Sequence, residues 1–314
     1  MRVALAGGGY LGARVFGALL GSRHDVAVLL QNKRLRHGTR NRWRQFAGRH
    51  LGGAGSVFSL ARRAGLPVLW IDTMSEEELA PLRPIAPDVL LVCGFGIILK
   101  TPLLSLPNLG CINTHSSLLP KHRGPNPFAA AILAGDATTG VTFHIMDEGI
   151  DTGDILEQHE FALGPHDTAL DVCFQAAEAA AEYVAAVLDK VEEQGLTGQP
   201  QDESAASYDE RMTYENTWID WRQPAAAIDR LVRAAALVPH AHFEHRGRDV
   251  FVTEAEFDDE PTAAEPGTIV SLDDGLRVAT GRGTLLLRRA HVEIPFSWPW
   301  PPLMRPVQLG EVLP

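Results

Sequence analysis

Apolar residues in this chain gather into short, almost unbroken runs. "RVALAG" (2–7), "DVAVLL" (25–30), "PVLWI" (67–71), "DVLLVCGF" (88–95) and "GCINTH" (110–115) are rich in branched side chains. Runs of that kind predict parallel strands buried on both faces. Between most of them lie amphipathic stretches, at 11–20, 57–64 and 75–82, whose apolar positions recur with the helical period. Strand alternating with helix predicts an α/β fold, a doubly wound, mostly parallel sheet. Further along, 128–133 reads as a helix, 141–146 and 155–162 as strands, and 167–194 as a long alanine-rich helix. Asp167 or Thr168 could cap that helix and Gly195 could stop it. The texture then changes: "LTGQPQDESAAS" (196–207) is polar and full of turn formers, as a linker would be. From Tyr208 the chain offers "WIDW", a helix over 224–237, and the alternating runs "AHFEHRGRDVFVTEAEF", "GTIVSLDDGLRVATG" and "GTLLLRRAHVEI". Glycine turns separate these runs, which predicts a smaller β-barrel-like domain. The expected division is therefore 1–195, a linker at 196–207, and 208–314.

With 314 residues, 45% of them hydrophobic, the chain can build a full core and a companion domain. The start, "MRVALAGGGYLGARVFGALLG", has the apolar run of a signal peptide, but Arg14 interrupts it and the glycines fit a strand turning into a helix. No other stretch approaches a membrane span. Cys93, Cys111 and Cys173 are odd in number, far apart and in apolar contexts, so they predict neither a disulfide framework nor a zinc site, and a reducing cytoplasm is the expected home. The net charge of -11 argues against nonspecific binding of nucleic acid. The segment 31–50 dissents: it carries Lys33, Arg34, Arg36, Arg40, Arg42, Arg44 and Arg49 and no acid. It reads either as a solvated loop or as a site for a phosphate-bearing partner.

Gly7-Gly8-Gly9-Tyr10-Leu11-Gly12 satisfies G-x-G-x-x-G after a predicted strand. A dinucleotide site would also need an acid at the end of the second strand to hold the ribose, and that place carries Gln31 and Asn32. The motif is then a tight strand-to-helix turn that could also face an acceptor's phosphates. Stronger chemistry lies in "NTHSSLLPKHRG" (113–124). Strand alternation puts Asn113 and His115 on one side and Thr114 on the other, at the strand end where open α/β sheets bind ligands. Downstream, "MDEGIDTGDI" (146–155) is an acid-rich glycine turn whose Asp151 could reach the imidazole, fixing its tautomer and raising its basicity. An amide donor, an imidazole and a carboxylate suit acyl transfer by direct attack. Asn113 and a protonated His115 would hold the oxyanion, and the attacking amine would lose its proton toward Asp151. Ser116 and Ser117 lack the G-x-S-x-G elbow of a hydrolase. The aspartates 147, 151 and 154 depart from a calcium loop, with Gln158 where glutamate belongs and Thr152 where glycine does.

"NTHSSLLPKHRG" followed by "GDATTGVTFHIMDEGIDTGDIL" resembles the folate-dependent formyltransferase family. The resemblance covers most of 1–195, and "WIDW" with "LVRAAALVPHAHF" resembles the start of the C-terminal, OB-like domain of the two-domain members. It implies a formyltransferase-like Rossmann fold, 10-formyltetrahydrofolate as donor, no metal, and Asn113, His115 and Asp151 as catalytic triad. It implies a pterin pocket built largely of backbone, from Cys93, Gly94, Phe95, Gly96, Ile97, Ile98 and Leu99 on one side and Met146, Asp147, Glu148, Gly149 and Ile150 on the other. The acceptor is assigned to Gly9, Tyr10, Ser116, Arg123, Gly124 and Asn126, in a monomer or homodimer.

Three branches share such a site. Methionyl-tRNA formyltransferases have a similar length, a basic insertion after the second strand and a C-terminal domain that helps hold tRNA. The segment 31–50 fits that branch, but "AGGGYLG" replaces its "AGTP"-like start and "PNPF" follows Arg123-Gly124 in place of "AAP". From 208 to 314 there are 11 arginines, no lysine and 17 acids, a balance that repels an RNA backbone. A second branch formylates small-molecule amines, such as nucleotide-linked amino sugars or amino-acid-derived building blocks, and "HRGPNPF" and "YDERMTYENTWIDW" look closer to it. The third hydrolyses the formylfolate with water. The small-molecule branch is the expectation, with tRNA formylation and hydrolysis as alternatives.

Overall fold

The structure, a computed structural model, describes residues 1–33, 56–237, 239–292 and 307–314. Of the basic segment only 31–33 fall within that range; Arg34, Arg36, Arg40, Arg42, Arg44 and Arg49 lie outside the described residues. The chain divides into two compact units, the first made of Met1–Pro127, Thr138–Ala162 and Val172–Glu210, and the second of Phe128–Ala137, Leu163–Asp171 and Arg211–Pro314.

The elements of the N-terminal part run β1 (Arg2–Gly7), α1 (Gly9–Leu20), β2 (Asp25–Asn32), α2 (Val57–Arg63), β3 (Val68–Ile71), α3 (Glu76–Leu79), β4 (Val89–Cys93), α4 (Thr101–Leu104), β5 (Gly110–His115), α5 (Pro127–Ala134), β6 (Thr138–Ile145), β7 (Ile155–Ala162) and α6 (Ala169–Gln194). The sheet order is β3-β2-β1-β4-β5-β6-β7. The first five strands are parallel, as their unbroken apolar runs predict, while β6 and β7 pair antiparallel. The central strands β1 and β4 bury both faces: Val3, Leu5, Val89 and Leu91 pack on one side with Phe16 of α1, and Ala4, Ala6, Leu90 and Val92 on the other. Chain order reverses between β1 and β4, so the crevice at the C-terminal ends of the central strands is where such a sheet receives ligands.

The glycine motif is a packing device. A Cβ on Gly7 or Gly12 would come within 3.1 Å of the Cys93 carbonyl oxygen, and the Gly8 N–H donates to that same oxygen at 3.1 Å. Gln31, standing where a ribose-binding acid would be needed, gives its side-chain N–H to the Gly7 carbonyl. Glycines here let α1 lie close on β1 and β4. Thr168 caps α6: its Oγ1 accepts from Asp171 N at 3.4 Å and its N–H donates to Asp171 Oδ2 at 2.9 Å, a reciprocal capping box. Asp167, the other candidate, instead accepts from Gly164 N. Gly195, at φ +79°, ends the helix with its N–H on the Val191 carbonyl.

Residues 196–207, expected as a linker, are bonded along the first unit. Gln199 exchanges both backbone bonds with Ile155 at 2.8 Å, the Ser207 carbonyl accepts from Arg123 N at 2.9 Å, and Asp209 N donates to the Arg123 carbonyl at 2.9 Å. Polar turn formers made this stretch look solvated, yet its backbone groups pair with the body of the unit.

The second unit holds α7 (Ala225–Ala234) and β8 (Ala241–His245), β9 (Arg248–Asp258), β10 (Ile269–Ser271), β11 (Leu276–Ala279) and β12 (Thr284–Val292). The strands form a curled antiparallel half-barrel in the order β10-β11-β12-β9-β8. Its core joins Ile219 and Trp221 of "WIDW" to Ile228 and Val232 of α7 and to Phe243, Val250, Val252 and Leu285 of the sheet. Arg246 and Gly247 turn the β8–β9 hairpin with φ +53° and +75°, the pair of positive φ angles of a type I′ turn.

Candidate active site

Parallel pairing with β4 carries β5 into the crevice, and alternation along β5 separates its polar residues. Thr114 faces Cys93, whose thiol donates to Thr114 Oγ1 at 3.4 Å inside the core, while Asn113 and His115 face the opposite side. Antiparallel register with β6 sets His144 directly across from Asn113. Asp151 completes the cluster from the turn after β6, at a left-handed φ of +55°.

The Asn113 side-chain N–H group donates to His144 Nε2 at 3.1 Å and to Asp151 Oδ1 at 3.3 Å. His144 Nδ1 in turn meets the Ile145 carbonyl at 2.9 Å, and its Nε2 lies 3.6 Å from Asp151 Oδ1. His115 donates Nε2–H to the His122 carbonyl at 2.9 Å, so its Nδ1 faces Asp151 Oδ2 at 3.6 Å. Gly124 N–H donates to that Oδ2 at 2.9 Å. Burial pushes the His115 imidazole below the ordinary histidine value, against the opposing pull of the Asp151 charge and of the His122 carbonyl. Burial also opposes the charge on Asp151, but the imidazoles of His144 and His115 and the Gly124 N–H outweigh it and hold that carboxyl down at about 2. At neutral pH the cluster therefore pairs an ionised carboxylate with a neutral imidazole. Two expectations are corrected by this geometry: the His122 carbonyl, rather than Asp151, fixes the His115 tautomer, and the net basicity of His115 falls because desolvation exceeds the help from its carboxylate.

On the donor side, Gly94 and Gly96 turn at φ +65° and +73°, and among the described residues none of the backbone N–H groups from Gly94 to Leu99 donates to another protein group. Ile98 on this loop and Ile150 on the turn after β6 stand 72% and 51% exposed. A flat heterocycle with a polar edge needs such a combination of backbone donors and apolar cover. Thr101 Oγ1 ties this loop to the 146–151 turn through Glu148 at 2.7 Å, and Met146 N is anchored on the Cys111 carbonyl. Cys93 departs from its assignment: its side chain lies on the far face of the sheet, wholly buried. Phe95 and Leu99 are buried beneath the loop. Asp147 is spent on its own turn, accepting from Gly149 N and Thr152 Oγ1, an arrangement that needs no cation.

The residues assigned to the acceptor fare unevenly. Gly124 touches Asp151, and Asn126 is half-buried close by in sequence. Ser116 is buried. Tyr10 is committed to α6, its hydroxyl donating to Glu178 at 2.8 Å and its ring packed edge-on to Phe174. Gly9 opens α1 at φ +63°. Arg123 does not face a ligand: its side chain is fully buried, with its guanidinium on Gln201, Glu203 and Tyr208. A cationic residue in a basic, glycine-bearing turn reads as an acceptor contact, whereas here its long side chain is an internal anchor. Sequence reasoning gave no role to His144, although alternation in "GVTFHIM" puts it on one face with Thr142, opposite Val141 and Phe143. It also missed Gln201, for which no local signal existed.

Two family models match the chain, formyl transferase over 61–188 and formyl transferase, C-terminal domain, over 211–294. The methionyl-tRNA formyltransferase of Synechococcus sp. (strain JA-3-3Ab) is 39% identical over 74% of this chain and 75% of its own length. That of Methylobacillus flagellatus is 35% identical over 94% of this chain and 92% of its own. Among solved structures, an N-formyltransferase from Helicobacter canadensis in complex with folinic acid and dTDP-3-aminofucose superposes with a TM-score of 0.67 at 18% identity, covering 91% of this chain and 98% of that one. Two matching domain models and relatives of this identity along nearly the full length make the chain a member of the two-domain formyltransferase family.

Proposed function

We propose that the protein transfers a formyl group from 10-formyltetrahydrofolate to the primary amine of a small metabolite. The observation that carries this is the cluster itself: an amide donor, a neutral imidazole and an ionised carboxylate converge beside a loop of bare backbone amides. The pterin would lie against Gly94 to Leu99 and Ile150, and bound folate would supply an activated formyl carbon. Asn113, released from one of its two contacts, donates to the formyl oxygen as negative charge develops there. Asp151, with its carboxyl held at about 2, is too weak a base to take the amine proton, so neutral His115 takes it and Asp151 stabilises the resulting imidazolium. The new N–C bond forms as the bond from the formyl carbon to the folate nitrogen breaks, and His115 returns the proton to that departing nitrogen.

For a small acceptor the second unit speaks most directly. Six of its arginines pair with acids of the same unit: Arg222 with Asp220, Arg233 with Asp229, Arg246 with Glu311, Arg277 with Asp274, Arg288 with Glu256 and Arg289 with Glu254. Cations so neutralised offer little to a phosphate backbone. A second reading, formylation of methionyl-tRNA, is supported by the relatives of 35–39% identity that carry that name. The deciding experiment incubates the protein with 10-formyltetrahydrofolate and, separately, amino-sugar nucleotides, amino-acid-derived amines and methionyl-tRNA, and weighs each acceptor for the mass of one formyl group. Gain on a small amine carries the first reading; gain on tRNA alone replaces it with the second; release of formate with no acceptor points to hydrolysis.

A further inference from the structure

We infer that the segment from Gln199 to Asp209 is a positioning strap that sets the separation of Asp151 and His115, with Gln201 as the residue through which it holds the carboxylate. This rests on the reading of Asp151 and His115 as partners in formyl transfer. The strap reaches both of them. Gln201 Nε2 donates to the Asp151 carbonyl at 2.8 Å and to the Gly153 carbonyl at 2.7 Å, so one amide clasps the backbone on both sides of Thr152. Asp151 needs such a clasp, because a side chain at φ +55° sits in a region that L-residues enter only when their surroundings impose it. The carboxamide is itself oriented: Gln201 Oε1 accepts from Arg123 Nη2 at 2.8 Å and from Nε at 3.2 Å, and Arg123 is pinned by Glu203 and by the Tyr208 hydroxyl. With its oxygen committed to a guanidinium, Gln201 can present only N–H to the Asp151 turn.

The other end of the strap holds the imidazole. His122 lends the carbonyl that receives His115 Nε2–H, and His122 stands at φ +60°. Its N–H donates to Ser207 Oγ at 2.8 Å and its Nδ1 meets Asp209 Oδ2 at 2.8 Å. The proposed base and the carboxylate that supports its imidazolium are thus bonded, each at one remove, to the same eleven-residue stretch, while the direct gap between them, 3.6 Å, is too long for a hydrogen bond. The strap supplies a distance that the pair does not enforce for itself.

Gln201→Met is the test, since methionine matches glutamine in length, cannot bond either carbonyl, and leaves Arg123 its contacts with Glu203 and Tyr208. Two readouts are taken on the full chain. A crystal structure of the variant should show Asp151 out of its left-handed conformation or its carboxylate displaced from Gly124 N and His115. On the acceptor that the wild-type chain formylates, kcat should fall about tenfold or more with KM for folate within about twofold, as misplacement of a reacting group predicts. The groups facing His115 are Asp151, His144 and His122. Loss of a well-placed Asp151 removes the charge that supports the imidazolium, so the acid limb of the kcat/KM profile should move to lower pH. Ser204→Ala, in the same segment but bonded among the described residues only to Asp202, controls for general loosening and should leave kcat and the limb in place. An unmoved Asp151 in the variant structure overturns the inference, and so does wild-type kcat in Gln201→Met or an equal loss in Ser204→Ala. If wild-type protein formylates no acceptor, it is the functional reading that fails, and the variant structure still decides the strap.

Discussion

At the scale of single residues, the chemistry turns on which group is charged. Asn113→Ala should lower kcat about 10²–10³-fold, the usual cost of one oxyanion donor. His115→Ala should lower it by roughly 10²–10⁴, the range of a positioned general base, and Asp151→Asn should lower it as well by withdrawing the charge that stabilises the imidazolium, both read as formyl mass gain under saturating substrates. The same two residues shape acid stability, and their signs agree. His115 has a folded value below its unfolded one, so the neutral ring it contributes is fully favourable above about pH 6.5 and is lost as the pH falls through the folded value. Asp151 is held at about 2, so its contribution is present above the unfolded value near 4 and disappears as the pH falls toward 2. That second step is on the order of 2 kcal/mol. Urea unfolding of the wild type should show stability falling below about pH 6.5 and again between about pH 4 and 2, where other held carboxylates such as Glu78 also contribute, and the second loss should be smaller in Asp151→Asn. An unchanged low-pH loss in Asp151→Asn would show that the carboxylate is not favoured by the fold.

Elements decide what brings these residues together, and here reading the sequence succeeds and fails for definable reasons. The strand ending in "NTH" was legible because an apolar run with two polar residues spaced by two must place both on one face, and the parallel sheet followed from five such runs separated by helices. The facing of Asn113 and His144 was not legible, because register between β5 and β6 is a long-range property that no local pattern encodes. Arg123, assigned to the acceptor, and Gln201 and Ser207, placed in a linker, turn out to bond one another's segments: composition alone does not tell whether a polar side chain meets a ligand, water or another part of the chain. Two substitutions separate the elements that hold the site from those that only stabilise. Gly124 lies at φ +116°, and a Cβ there would come 2.6 Å from the Asp209 carbonyl oxygen. Gly124→Ala should therefore displace the N–H that holds Asp151, lowering kcat about tenfold or more and stability by roughly 1–3 kcal/mol. Thr168→Ala removes the α6 cap, which should cost about 1 kcal/mol in urea unfolding and leave kcat unchanged. Equal effects of the two on kcat would mean that activity tracks global stability.

For the molecule as a whole, the distribution of charge offers a direct test of the acceptor. The chain carries -11 overall, and from 208 to 314 acids outnumber arginines by six. Its basic residues are concentrated instead in 31–50. An enzyme that grips tRNA neutralises several phosphates at once, and raising salt from about 50 to 200 mM then costs roughly 10³–10⁵ in affinity for 6–10 contacts. One that grips a nucleotide-linked amine neutralises a diphosphate at most, and on the same slope loses about tenfold. The small-molecule reading therefore predicts that kcat/KM for the best small amine falls by no more than about tenfold over that range. Replacing Lys33 and the arginines of 34–49 by glutamine should raise KM for a phosphate-bearing amine and leave KM for an amine without phosphate unchanged. A steep salt dependence that those replacements abolish, seen with methionyl-tRNA as substrate, would move the assignment to tRNA and make 31–50 the part of the chain that overcomes the acidity of the rest.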